Sequence, residues 1–111
     1  MPMQEERIFF LKNAIEENPE DAFYRHALAM EYLEKQEMEA EKILSYNLIN
    51  YPNYLPTYYM AANLYFNLGK YTDAEITFLK GIALATQQKN EKALKELKAS
   101  YMTFKDEVAD E

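Results

Sequence analysis

The sequence predicts an all-α domain, a solenoid of antiparallel helix hairpins with about six helices. Three observations support this prediction. Apolar residues recur at helical spacing in stretches that end at Asn18-Pro19, Tyr51-Pro52 and Asn67-Leu68-Gly69. Glycine and proline are scarce, at two and four residues of 111, which disfavours a turn-rich β domain. A motif also repeats with a period of about 34 residues.

The helix boundaries follow from the same stop signals and from residues that suit helix ends. We expect helices at about residues 3–17, 21–35, 37–50, 54–68, 71–88 and 91–107. Asp21 and Asn90 are predicted N-caps, because their side-chain oxygens can accept hydrogen bonds from the first turn. Thr72 and Glu75 have the spacing of a capping box. Gly69 can adopt the left-handed conformation that ends a helix.

The repeat is visible in both helices of each predicted hairpin. The matched motifs are Arg25-x-x-Leu28-Ala29-x-x-Tyr32 with Tyr58-x-x-Ala61-Ala62-x-x-Tyr65, and Ala40-x-x-x-Leu44 with Ala74-x-x-x-Phe78. Arg7-x-x-x-Leu11-x-x-Ala14 stands in the same register before them, as the second helix of a half-repeat. Small residues at these positions let neighbouring helices approach closely, and stacking buries a core that one hairpin cannot bury alone.

This order of aromatic, Leu, small residue, Tyr, Ala, Phe and Pro resembles the tetratricopeptide repeat family over about residues 7–88. Four departures stand out: Arg25 replaces a large aromatic, Asn47 a small residue and Thr86 a proline, and the turn after Leu33 is one residue short and lacks glycine. The resemblance implies a single domain, 1–111, with a half-repeat helix at 1–19, repeats at 20–52 and 53–88, a capping helix at 89–107 and a frayed tail at 108–111.

The last predicted helix has an apolar stripe of its own, formed by Ala93, Leu94, Leu97, Tyr101 and Phe104. The lysines of this helix lie off the stripe. We interpret the helix as a cap, because the end of a helical stack needs a polar outer face. The alternative is that it docks a partner or a second copy.

Composition and charge exclude several classes of function. The net charge is −7 with no basic block, so we expect no binding to nucleic acid, which depends on neutralising phosphates. No apolar run approaches the roughly 20 residues that span a bilayer, so no membrane association is expected. Residues 1–11 lack the layout of a signal peptide. We therefore expect a cytoplasmic protein.

The sequence also lacks a recognisable arrangement of residues for catalysis or for binding a transition metal. The chain has one histidine and no cysteine. His26 could form a triad only with Ser45 or Ser100, and no nucleophile elbow surrounds either serine. We interpret His26 as a partly exposed helix residue. A single histidine disfavours a transition-metal site, and no glycine-rich loop is present to hold phosphate. We expect no enzyme activity, no cofactor and no metal.

The family resemblance implies a binding role for the first helix of each hairpin, which lines the concave face in this family. The predicted partner-binding residues form one stripe per hairpin: Phe23, His26, Met30 and Leu33, and then Pro56, Tyr59, Asn63 and Phe66. The alternative is that these stripes widen the core or lie under a terminal helix. Only Asn63 fits a clamp for a carboxylate, so an apolar or helical segment is the expected ligand.

The leading hypothesis is therefore a protein–protein interaction module that binds a peptide or a partner protein on its concave helical face. The alternative is a structural homo-oligomer, such as a homodimer, that buries the same apolar surface or the C-terminal helix. The sequence does not identify the partner.

Overall fold

The computed structural model describes residues 2–109 and contains six helices in that range. These are α1 (Pro2–Glu17), α2 (Ala22–Tyr32), α3 (Glu37–Asn50), α4 (Pro56–Asn67), α5 (Tyr71–Gln87) and α6 (Glu91–Ala109). The all-α prediction is confirmed, and the largest disagreement in boundaries is that α2 ends at Tyr32. Val108 and Ala109, the first residues of the predicted tail, are helical; Asp110 and Glu111 lie outside the described residues.

The helices form two compact units that divide between Tyr54 and Leu55. In the first unit, α1 and α3 both pack on α2. Its apolar core consists of Leu11, Ala14, Ala22, Leu28, Ala29, Tyr32, Ala40 and Leu44. Gln4 Nε2 donates to the backbone oxygen of Glu31 at 3.0 Å, and the Arg7 guanidinium pairs with the Glu31 carboxylate at 3.0 Å. These polar contacts hold α1 against the C-terminal half of α2.

In the second unit, α5 packs against α4 on one side and α6 on the other. Its core consists of Leu55, Tyr58, Ala61, Ala62, Leu64, Tyr65, Ala74, Phe78, Leu84, Ala85, Leu97 and Phe104. Gly81 marks the closest approach. A Cβ added there would lie 2.8 Å from the Cβ of Tyr58 and 3.2 Å from a Cδ of Leu97, so only glycine fits between the two helices without a shift.

Small residues lie where the repeat predicted that helices would cross. Ala29 and Ala40 are fully buried in the first unit, and Ala62 and Ala74 are fully buried in the second. Asn47, which replaces a small residue, is also fully buried. Its Nδ2 donates to the backbone oxygen of Ala22 at 3.1 Å, so the amide joins α3 to the first turn of α2.

Two of the three predicted caps at helix starts are confirmed. Asp21 Oδ1 accepts from the backbone N–H of Phe23 at 3.0 Å, and Asn90 Oδ1 accepts from that of Ala93 at 3.0 Å. The capping box at Thr72 is wrong. The fifth helix already begins at Tyr71, so Thr72 lies inside its first turn, where it cannot act as the capping residue.

Left-handed residues end α4 and α5. Gly69 has φ +77°, as predicted, and the N–H of Lys70 bonds to the carbonyl of Tyr65 at 2.8 Å. The same pattern ends α5, where Lys89 has φ +57° and the N–H of Asn90 bonds to the carbonyl of Ala85 at 3.0 Å. Both are Schellman motifs, but the second places a side chain where glycine is preferred.

Two more departures from the family pattern, the turn after Leu33 and Arg25, also have structural explanations. The short turn after Leu33 needs no glycine, because Leu33 keeps helical angles and the N–H of Gln36 bonds to the carbonyl of Tyr32 at 2.8 Å. The Arg25 guanidinium lies 4.8 Å from the ring centroid of Tyr46 and 5.8 Å from that of Tyr51. A planar cation beside aromatic rings thus fills the space that an aromatic side chain would take.

Candidate partner-binding site

The predicted stripe on α2 is only partly at the surface. Phe23 is 52% exposed and Met30 is 53% exposed, whereas Leu33 is half-buried. Phe23 and Met30 are seven residues apart, so they lie on the same face of α2, about 10 Å from each other along the helix axis. The exposed part of the first stripe is therefore a two-residue apolar patch.

His26 lies between these two residues in the sequence but is only 9% exposed. Its ring meets the ring of Tyr54 edge to face, with centroids 5.7 Å apart. Within residues 2–109, Nδ1 of His26 has no hydrogen-bond partner, and burial lowers the pKa of the imidazole. The expectation of a partly exposed histidine is wrong, because a residue 28 positions away covers it. Its role in binding a partner stays a prediction.

The second stripe, on α4, shows a similar division. Pro56 is the first residue of α4 and is exposed, and Tyr59 is 44% exposed. Asn63 is half-buried, and its Nδ2 donates to the backbone oxygen of Tyr59 at 2.8 Å. Phe66 is half-buried against Phe104 of α6, with ring centroids 5.2 Å apart. The exposed part of this stripe is therefore Pro56 and Tyr59.

Sequence reasoning missed a further set of exposed apolar side chains. The first helix exposes Met3, Phe9 and Phe10, and α5 exposes Ile76 and Leu79. For Phe10, the repeat register offered a comparison that could have drawn attention to it. Phe10 stands 67 residues before Thr77, the equivalent position in α5, and Thr77 is buried.

A groove of about 830 Å³ lies in the first unit between residues 17–22 and residues 50–54. These two segments are equivalent turns of successive repeats. The residues that line the groove include Glu17, Glu20, Asp21, Tyr51 and Tyr54. Tyr51 also ties the two turns together, because its hydroxyl donates to the backbone oxygen of Pro19 at 2.9 Å.

Residues 2–109 lack the features of two other kinds of site. No group of three or more His, Cys, Asp or Glu side chains in this range is placed to hold a metal ion. None of the helices in the same range combines the length and the apolar character needed to cross a membrane.

Antiparallel helices that repeat in register, with small residues at the crossings, define a helical-hairpin repeat protein. A crystal structure of a tetratricopeptide repeat domain protein from Salinibacter ruber is similar, at 31% identity and a TM-score of 0.74 over 78% of this chain and 97% of that one. A solution NMR structure of a tetratricopeptide repeat domain protein from the same organism gives 32% identity and 0.75, over 80% and 91%. The chain belongs to the tetratricopeptide repeat family. No protein-family model and no curated protein matches it.

Proposed function

We propose that the chain is a protein-interaction module whose α2 and α4 helices bind an apolar or helical segment of a partner protein. The observation that supports this proposal is the exposure of Phe23 and Met30 on α2 and of Tyr59 on α4. Fold alone does not define function, so the proposal rests on these side chains and not only on the family.

The chemistry of the exposed residues suits a protein interface. Aromatic residues and methionine are enriched at interfaces relative to the rest of the protein surface, and covering them with a partner removes apolar area from water. Methionine is flexible enough to adapt to different apolar side chains. A patch of Phe23 and Met30 therefore favours an apolar ligand.

The polar members of the stripes support the same choice. The Asn63 amide already donates to the backbone of its own helix. His26 is buried and its pKa is lowered, so it is neutral near pH 7. Neither residue supplies a free cation for the carboxylate of a ligand. An apolar or helical segment remains the best-supported partner.

The test is affinity purification with three side chains removed together, in a Phe23→Ala/Met30→Ala/Tyr59→Ala variant. Phe66 is left intact, because it packs on Phe104 and its removal would disturb the fold. We expect recovery of specific partners to fall by about tenfold or more, as at interface hot spots. The matched control is Ile76→Ala/Leu79→Ala, which removes two exposed apolar side chains from α5. Equal recovery by both variants would contradict the proposal.

The alternative function, a homo-oligomer that buries the same surface or α6, has some support of its own. Met102 on the outer side of α6 is more than half exposed. Light scattering across a wide concentration range separates the two functions. A mass that stays at 13.1 kDa removes the homo-oligomer, and a concentration-dependent dimer supports it.

A further inference from the structure

The first helix of the chain has an open side that the other second helices of hairpins do not have. In the repeat register, α1 is equivalent to α3 and α5. The open side is the row Met3, Glu6, Phe10, Asn13 and Glu17, which recurs at helical spacing. Phe10 at its centre is 64% exposed, and its neighbour Phe9 is 69% exposed.

The equivalent side of α5 is covered by the first helix of its own hairpin. Thr77, the counterpart of Phe10, is 5% exposed. It lies one turn before Gly81, which approaches Tyr58 of α4. The next residue, Phe78, instead faces α6, with its ring centroid 5.6 Å from that of Phe104. Thr77 therefore lies on the side of α5 that α4 covers.

The corresponding side of α3 is covered in the same way. Ile43, the counterpart of Phe10 in α3, is half-buried and lies one turn before Asn47. Asn47 donates its hydrogen bond to the backbone of Ala22 in α2. Because α2 covers α3 here and α4 covers α5, the open side of α1 is the side on which an antiparallel helix would pack.

The acidic side chains of α1 indicate the charge of a helix that would pack on its open side. Glu6 and Glu17 are the two carboxylates of the open side, one towards each end of it. Glu5, Lys12 and Glu16 are also exposed, but they lie more than about 100° round the helix axis from Phe10. The Arg7 guanidinium is engaged by Glu31 of α2. A second copy of α1 would bring two more carboxylates to the same side, whereas basic side chains at the ends of an incoming helix would pair with those present.

We propose that the open side of α1 docks an amphipathic helix from another polypeptide, apolar at its centre and basic at both ends. The incoming helix runs antiparallel to α1, as α2 does to α3 and α4 does to α5. Phe10 is its main apolar contact, and Glu6 and Glu17 attract its basic ends. None of the residues of this open side belongs to the exposed set that carries the proposed function.

The test uses a synthetic helix with the chain's own α4 sequence. The probe is a peptide of residues 53–69, carrying Asn53→Lys and Asn67→Lys so that each end is basic. We expect it to bind the full chain and to bind a Phe10→Asp variant at least about tenfold more weakly, as measured by fluorescence anisotropy. Ile49→Asp, at an exposed position on α3, should leave its affinity unchanged.

A second peptide tests the charge argument. It carries glutamate in place of both lysines and should bind about tenfold more weakly at low salt, with a difference that shrinks as salt is added. Phe10→Ala, together with far-UV circular dichroism, guards against misfolding of the Asp variant. Absent binding, or binding that Phe10→Asp and Phe10→Ala leave intact, overturns the proposal. So does self-association of the chain that requires Phe10 while the peptide fails to bind, because the occupant is then a second copy.

Discussion

The rings of Phe66 and Phe104 meet edge to face, with centroids 5.2 Å apart and planes at 89°. This contact joins α4 to α6 without passing through α5. Phe104 also contacts Phe78, with ring centroids 5.6 Å apart, and is 3% exposed. The helix predicted to be a cap is therefore fixed by a buried aromatic cluster.

Replacement of Phe104 by alanine should lower the free energy of unfolding by about 3–5 kcal/mol, because it removes a large buried side chain and leaves a cavity. Urea denaturation followed by circular dichroism measures this change. Met102→Ala, two residues away and exposed, should change it by no more than about 0.5 kcal/mol. Equal effects of the two substitutions would show that α6 is not anchored through Phe104.

Gly81→Ala changes stability in two opposite ways, through helix propensity and through overpacking. Alanine favours a helix over glycine by about 1 kcal/mol. The added Cβ, however, lies 2.8 Å from the Cβ of Tyr58, an atom attached directly to the backbone. Overpacking costs about 1–3 kcal/mol, so we expect net destabilisation. Thermal unfolding measures it, with Ala83→Gly at an exposed site of the same helix as the reference for propensity alone. A stabilised Gly81→Ala would contradict the close approach.

Lys89→Gly should stabilise the fold by about 1 kcal/mol, because Lys89 has φ +57°, where a side chain is strained and glycine is not. The reverse substitution, a side chain in place of a left-handed glycine, can be made at Gly69. No atom lies within 4 Å of a Cβ added there, so Gly69→Ala tests the backbone term alone and should destabilise by a similar amount. Chemical denaturation of both variants checks the prediction. Shifts of the same sign would refute it.

Stability should fall on mild acidification because of His26. Burial lowers its pKa in the folded state from the ordinary value of 6.5, so the folded protein holds the neutral imidazole and the unfolded chain takes up the proton first. Above pH 6.5 the histidine is neutral in both states and does not lower the free energy of unfolding. That free energy decreases as the pH falls from 6.5 towards the lowered pKa. Unfolding free energies measured at about one pH unit above 6.5, at 6.5 and about one unit below it check this prediction. His26→Leu should show a shallower decline, and parallel curves would argue against the assignment.

Much of the fold could be predicted because helix periodicity and small residues at crossings are local signals. Ala29 and Ala74 are buried where the repeat placed them. The burial of His26 under Tyr54 and of Phe66 under Phe104 could not be predicted in the same way. Each depends on a contact between residues 28 or more positions apart, which periodicity does not specify.

The errors at helix ends have a different cause. Thr72 and Glu75 have the spacing of a capping box, but α5 begins at Tyr71, earlier than the residue after Thr72 where that motif needs it to begin. The left-handed angle at Lys89 has no signal in the sequence, because lysine does not favour that conformation. In both cases the residue types alone do not specify the end of the helix.

Asn47 also affects which helices pair with each other during folding. Its counterparts in the repeat are Ala14 and Gly81, so the three second helices carry an amide, a methyl group and a hydrogen atom at equivalent positions. The amide needs the carbonyl of Ala22, and the space at Gly81 is already closed by Tyr58. If α3 paired with α4 during folding, or α5 with α2, the hydrogen bond of Asn47 or the close packing at Gly81 would be lost. These two positions therefore disfavour mispairing between hairpins of similar sequence, a known failure of repetitive chains.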